Sequence, residues 1–243
     1  MWRPLSPAVK GGVYHPNAGH ANPQRSSQAF AWALLDQGGH IYQHTRVTGI
    51  SVERDRVVAV ETDRGRFETD FLVCAAGPQT GHLTRMVGAF VPVAPGMLEM
   101  VVTAPVSPMS PAGMSGNGLY GRQTLRGNLA YGGGALAWAD VGLQTPRKPT
   151  SPLVRNIVRR LFELLPGFGD VPIIRSWAGA VEVTPDNLPI IDRLESPHNM
   201  VVATMSSHGF GLSPATGKAI ADLVRDVAGQ ELAPADAARL YEA

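Results

Sequence analysis

The sequence predicts a mixed α/β (α+β) fold, and three stretches predict it. Phe71-Leu72-Val73-Cys74-Ala75-Ala76 is an unbroken apolar run ending at Gly77-Pro78, the pattern of a strand covered on both faces of a layered sheet. Ser26 to Leu35 carries Phe30, Ala31, Ala33, Leu34 and Leu35 at three- and four-residue spacing and stops at Gly38-Gly39, which predicts a helix. Val91 to Tyr131 is rich in Val, Met, Gly and Pro without helical periods, which predicts a mostly antiparallel sheet with long connections.

The other elements follow in chain order. From His40 the pattern alternates: Ile41 opposes Tyr42, and Val47, Ile50, Val52 and the run Val57 to Val60 read as short strands. After a proline-rich linker from Pro146 to Pro152, Val154, Ile157, Val158, Leu161, Phe162 and Leu165 recur at helical spacing. Pro172 to Val183 returns to strand chemistry around Trp177, a tryptophan expected to contribute core area. Met200 to Thr204 reads as a second buried strand, a Ser/His/Gly loop follows, and Ala215 to Val227 reads as a helix with Ile220, Leu223 and Val224 on one face.

Composition removes several function classes. With 21 Lys+Arg against 20 Asp+Glu the net charge is +1, so the one-sided positive field used by nucleic-acid binders is missing. Gly (27) and Pro (20) make up about a fifth of the chain, against about 12% on average, which favours strands and backbone-lined sites over a helical bundle. Cys74 is the only cysteine, which fits a reducing, cytoplasmic setting and offers no Cys-based zinc site. Inside an apolar strand it reads as a small buried hydrophobe. No apolar run approaches the ~18 residues of a membrane span, and Met1 to Leu5 has no signal core.

Motif chemistry narrows the field further. Gly132-Gly133-Gly134-Ala135-Leu136-Ala137 formally matches the dinucleotide fingerprint, but Pro146 cuts short the segment where its helix should run, so it reads as a glycine-rich strand or turn. No P-loop, H-E-x-x-H or G-x-S-x-G motif occurs. His40 and His44 lie in a strand-like setting, where i and i+4 stand about 13 Å apart, too far to share a metal. The stretch from Thr204 to Lys218, T-M-S-S-H-G-F-G-L-S-P-A-T-G-K, places Gly209 and Gly211 where a helix begins. Two readings fit it: a helix N-terminus whose bare amides hold an electron-rich ligand, or a glycine turn that lets strand and helix pack closely. Thr184-Pro185-Asp186-Asn187 is turn chemistry, with Asp186 expected to bond its own backbone and to shape a ligand site second.

Three ordered stretches resemble the flavin-dependent amine and amino-acid oxidoreductases, the family of D-amino-acid oxidase and dehydrogenase, glycine oxidase and the sarcosine oxidase β subunit. They are Gly19-His20-Ala21-Asn22-Pro23 with its helix, Val47 and the Ala75-Ala76-Gly77 strand end; Trp177-Ala178-Gly179 leading to Thr184 through Ile191; and His208-Gly209-Phe210-Gly211 through Gly217. The resemblance runs from about Gly11 to Val227. It implies a flavin-binding α/β layer over residues 11–90 and 170–230, lacking its first βαβ unit, interleaved with a mostly antiparallel substrate domain over 91–169. It also implies non-covalent FAD, with Gly19, Val47, Ala76, Gly77, Gly179, Asp186 and His208 to Gly211 as contacts. Within that set the backbone around Val47 would face the adenine. Ala76 and Gly77 would run beside the diphosphate-ribityl portion, and His208, Gly209, Phe210 and Gly211 would meet the pyrimidine edge of the ring.

By the same resemblance the reaction is dehydrogenation of a C–N bond in a secondary amine or amino acid, with no catalytic side chain assigned. Where glycine oxidase-like members keep an arginine for the substrate carboxylate, this sequence has Val181. Arg122 beside Tyr120 is the candidate for a relocated grip, or the substrate lacks a carboxylate. The G-x-G-x-x-G loop and ribose-binding acid of the family are not found. Three readings follow: a clipped enzyme, a truncated product that folds poorly, or a catalytically silent subunit that assembles with a partner chain bringing the dinucleotide loop.

Overall fold

The computed structural model describes residues 5–110, 112–133, 137–138, 149 and 151–229. Its helices are α1 (Pro23–Asp36), α2 (Thr80–Arg85), α3 (Ser151–Leu164) and α4 (Gly209–Gly229). Its strands are β1 (Val47–Glu53), β2 (Arg56–Thr62), β3 (Gly65–Glu68), β4 (Leu72–Cys74), β5 (Ala94–Pro105) and β6 (Met114–Gly116), then β7 (Leu119–Gln123), β8 (Asn128–Gly133), β9 (Ala137–Trp138), β10 (Ile173–Val183), β11 (Ile190–Arg193) and β12 (Met200–Thr204). By contacts the chain divides into two units, Met1–Asn22 with Gly96–Ala180, and Pro23–Pro95 with Val181–Ala243.

In the first unit the antiparallel sheet foreseen for residues 91–131 is present, in the order β10-β5-β8-β7-β6, with β9 also paired to β5. Alternation sends Leu119, Leu129, Tyr131 and Val101 to one face, and α3 covers them with Ile157, Leu161 and Leu164. The apolar spacing of α3 therefore finds its partner within the same unit, and complete burial of Ile157 or Leu161 contributes roughly 1.5–3 kcal/mol each. Pro152 is tolerated because the first turn of a helix has no acceptor for its missing N–H. The helix gives way to a 3₁₀ turn at Pro166–Phe168. Gln123, ending β7, holds the surrounding loops: its Nε2 donates to the carbonyls of Val106, Ser107 and Gly127, and its Oε1 accepts the Met109 N–H.

The second unit contains the β1-β2-β3 meander and a sheet ordered β11-β12-β4. All five residues of β12 are buried, as its unbroken apolar run demands. It pairs antiparallel with β11 and parallel with β4, Val202 standing beside Cys74. Asn199, fully buried, ties the meander to this sheet: Oδ1 accepts the Val57 N–H, and Nδ2 donates to the carbonyls of Val57 and Asp70. Val57, Cys74, Val91, Met200 and Val202 form the core beneath. Cys74 is buried there, and burial pushes its thiol up.

Several expectations are corrected. No strand runs from His40 to Arg46; His44 has φ 54°, which turns the chain before β1 begins at Val47. The apolar run at Phe71 to Ala76 yields only Leu72–Cys74, and Val73 is exposed: alternation turns Cys74 into the core and Val73 to the opposite face, which is left partly open among the described residues. Trp177 is 41% exposed rather than in the core: alternation along β10 directs it outward. The C-terminal helix begins at Gly209, with Pro214 inside it. Proline leaves the Phe210 carbonyl without its usual N–H partner, and the Ser213 hydroxyl donates to that carbonyl instead. Gly132 and Gly133 belong to β8, whereas Gly134, Ala135 and Leu136 lie outside the described residues, as does most of the Pro146 to Pro152 linker. By contacts, residues 173–180 of β10 group with the first unit, where β10 is hydrogen-bonded to β5.

Candidate functional site

Open sheets with parallel strands bind ligands in the crevice beyond the strands' carboxyl ends. β4 and β12 are such a pair, and both end on the same side, β4 running into Ala75-Ala76-Gly77 and β12 into Met205. Gly77 has φ +53°, a left-handed turn that favours glycine and leaves its backbone free of a Cβ. Glu182, at the end of β10, reaches this point. Its Oε1 accepts the Met205 N–H at 3.1 Å, and a methyl group built on Gly77 would lie 3.5 Å from its Oε2.

The chain then turns sharply at Ser206 (φ 46°) and Ser207 (φ 65°), closed by the His208 N–H donating to the Met205 carbonyl. Ser206 is buried and locked in place: its Oγ accepts the Thr184 N–H and its hydroxyl donates to Thr184 Oγ1, which in turn donates to the Leu188 carbonyl. That network pins the Thr184 to Leu188 turn to the start of α4. Asp186 bonds its own turn, Oδ1 accepting the Leu188 N–H at 2.9 Å, and that bond holds its carboxyl below the usual range.

α4 opens with Gly209-Phe210-Gly211. Neither glycine has positive φ, so the backbone there needs no special conformation. A Cβ on Gly211 would meet nothing within 4 Å, and one on Gly209 would make ordinary contact with Met205. The first-turn amides of this 21-residue helix carry the positive end of its dipole, and Phe210 is half-exposed beside them. On the same unit a cavity of about 310 Å³ is lined by Val47, Ile50, Val60, Leu72 to Ala76, Leu83 and Met200.

Of the residues singled out in the sequence, Val47 and Ala76 thus share one cavity, and Gly77 connects through Glu182 and Met205 to His208. His208, Phe210 and Gly211 are exposed at the helix start, and the Asp186 carboxylate is turned into its own loop. Gly19, Gly179, Tyr120 and Arg122 belong to the other unit. There Tyr120 and Arg122 share one face of β7, opposite Gly132 and Ala130 of β8. Sequence reasoning missed Glu182 and the Ser206-Ser207 turn. A lone acid in a strand carries no motif, and Ser-Ser carries none of the left-handed signal that Gly or Asn would.

Comparison with known proteins decides the family. The profile of the DAO family, described as FAD dependent oxidoreductase, matches residues 1–223. The chain belongs to this family of FAD-dependent oxidoreductases. It is 28% identical over 218 residues to the sarcosine oxidase subunit beta of Rhodobacter capsulatus, covering 89% of this chain and 52% of that protein. It is 29% identical over 236 residues to the glycine oxidase of Geobacillus kaustophilus, covering 93% and 59%. The crystal structure of the latter enzyme superposes with TM-score 0.83 at 26% identity, over 96% of this chain and 61% of that one. The chain thus spans about half the length of the curated relatives it matches. The residues present fit part of a flavin: a Cβ-free strand end at Gly77, an open approach to the α4 amides at Gly211, and an apolar cavity beside Val47. Among the described residues no helix is long and apolar enough to cross a membrane, and no cluster of three or more metal-binding side chains occurs.

Proposed function

We propose that this chain carries the ring-side half of a flavin site in an enzyme that oxidises the C–N bond of a secondary amine or amino acid. The observation that carries the reading is the crevice beyond β4 and β12, where Gly77, Glu182 and the first turn of α4 meet in one unit. FAD supplies the two-electron acceptor, and water hydrolyses the imine product.

The chain's own residues orient and polarise. The α4 amides from Gly209 to Gly211 favour negative charge at the ring's pyrimidine edge, and the buried Ser206–Thr184 network fixes their position. Val47 presents apolar surface and backbone to the adenine side, and Ala76, lining the same cavity, runs beside the diphosphate-ribityl portion. Tyr120 and Arg122 form the substrate face of β7, Arg122 supplying the fork that a carboxylate needs in place of the arginine replaced by Val181. Within this reading residues 11–90 and 170–230 serve the flavin and 91–169 the substrate. No side chain here serves as an obligatory base, because a neutral amine can release hydride directly.

A further segment, in the same polypeptide or in a partner subunit, supplies the pyrophosphate cradle. The exposure of Phe30, Trp32, Leu34 and Leu35 on α1, none of whose residues is buried, supports this. The test is titration of FAD into the purified chain, followed by flavin fluorescence. Weak quenching is expected, since the cradle is missing and the ring-side contacts remain. Stoichiometric, tight binding would overturn the need for a further segment, and absence of any flavin binding would overturn the flavin reading itself.

A further inference from the structure

We propose that Glu182 is a flavin-binding residue whose carboxylate accepts a hydroxyl of the cofactor's ribityl chain. The inference rests on the flavin reading above and adds a side chain that neither motif nor resemblance singled out. Glu182 follows Val181 at the end of β10, where the chain enters the second unit. From there it reaches the carboxyl ends of the parallel strand pair β4 and β12. One oxygen is already used: Oε1 accepts the Met205 N–H at 3.1 Å and so holds the carboxylate against the last residue before the Ser206-Ser207 turn. The other, Oε2, lies beside the Cβ-free face of Gly77, 3.5 Å from where a methyl group would stand, and makes no hydrogen bond among the described residues.

The chemistry of the crevice selects the ligand group. An ionised carboxylate only accepts, so the group that completes it is a donor. A diphosphate offers no donor and would be repelled, and a flat ring edge would meet the α4 amides instead. A polyol chain passing Gly77 offers hydroxyl donors at the height of the strand ends, and a hydroxyl bond to a charged acceptor is stronger than one between neutral groups. The same carboxylate would also register the cofactor against the turn that starts α4, since Met205 and the ligand share it.

Riboflavin and lumiflavin separate this role from ring binding, because lumiflavin keeps the ring and lacks the ribityl hydroxyls. Binding of each to the full chain is followed by fluorescence quenching for the unmodified protein, Glu182→Gln and Glu182→Ala. Glutamine retains an acceptor for the Met205 N–H, so matching circular dichroism and urea midpoints in that variant show that the turn persists. The expected result is tighter riboflavin than lumiflavin binding by the unmodified chain, with riboflavin weakened about tenfold in both variants and lumiflavin unchanged. If riboflavin and lumiflavin weaken equally, Glu182 acts only by holding the turn and the proposal fails. If neither weakens, it fails as well. If the unmodified chain binds neither flavin, the underlying flavin reading falls, a result distinct from both.

Discussion

α1 and α3 are each 14 residues long, yet they meet opposite fates. α3 separates its apolar positions from Arg155, Asn156, Arg159, Arg160 and Glu163, and it buries Ile157 and Leu161 to within 1% of complete cover. α1 packs seven apolar residues in a row from Ala29 to Leu35 and buries none, with Phe30 58% and Trp32 61% exposed. Apolar content therefore does not predict burial. A helix with a polar face carries half of its own solvation and needs one partner, whereas a stretch apolar all round, as Ala29 to Leu35 is, needs cover on several sides. The described residues provide the first kind of cover and not the second.

The largest expected effect tests that contrast directly. Leu161→Ala should destabilise the chain by about 2–5 kcal/mol, the cost of a cavity in a closed core. Phe30→Ala, in the chain studied alone, should change stability by no more than about 0.5 kcal/mol. Urea unfolding monitored by circular dichroism measures both. A Phe30→Ala loss comparable to that of Leu161→Ala would mean that α1 is covered in solution, and sedimentation would then be expected to show self-association. Addition of the segment that completes the flavin site should raise the cost at Phe30 and leave that at Leu161 unchanged.

Legibility of the sequence divides along the same line. Elements whose period matches a partner within their own unit were readable: α3, the sheet built on β5, β7 and β8, and the buried strand β12. The family was readable too, because glycines and turns recur in order across the chain. Burial was not readable where the cover is missing. Val73 sits in an apolar run and is exposed, and Trp177 lies in a strand whose alternation turns it outward. Pro214, which usually ends a helix, confined the readable body of α4 to Ala215 onward even though Gly209 and Gly211 pointed to a helix start; the Ser213 hydroxyl bond that permits the proline there depends on geometry rather than pattern. Glu182 was invisible for a similar reason, since its partners, Met205 and Gly77, are brought together by two connections distant in sequence.

An intermediate effect is expected at Gly211, where the chain leaves space open without an exposed apolar run. A Cβ there would meet nothing, and φ is not positive, so Gly211→Val should leave the urea midpoint nearly unchanged. If that space belongs to the flavin ring, the same substitution should weaken riboflavin binding about tenfold by blocking approach to the α4 amides. Unchanged binding would return the Gly209 to Gly211 stretch to a packing turn. The result sharpens the comparison with α1 by separating a surface open to a small ligand from one open to another polypeptide.

The smallest effect concerns the closed region itself. Tyr131 is fully buried against α3, and its hydroxyl has no hydrogen-bond partner among the described residues, so even the well-covered core contains one uncompensated polar group. Burial pushes its phenol up to about 12, from an ordinary value of 10. Below pH 10 the phenol is protonated in both folded and unfolded chains, and its contribution to stability is complete. As pH rises from 10 toward 12, the unfolded chain ionises first, so that contribution is lost progressively. Tyr131→Phe should therefore flatten the alkaline limb of the stability profile between pH 10 and 12. At pH 7 it should be neutral or stabilising by up to about 1 kcal/mol, because it removes an unpaired hydroxyl at little change in shape. Paired urea titrations across pH 7 to 12 check this. A loss above 1 kcal/mol at pH 7 would show that the hydroxyl is satisfied in solution, and the contrast between a closed α3 face and an open α1 would then hold without exception.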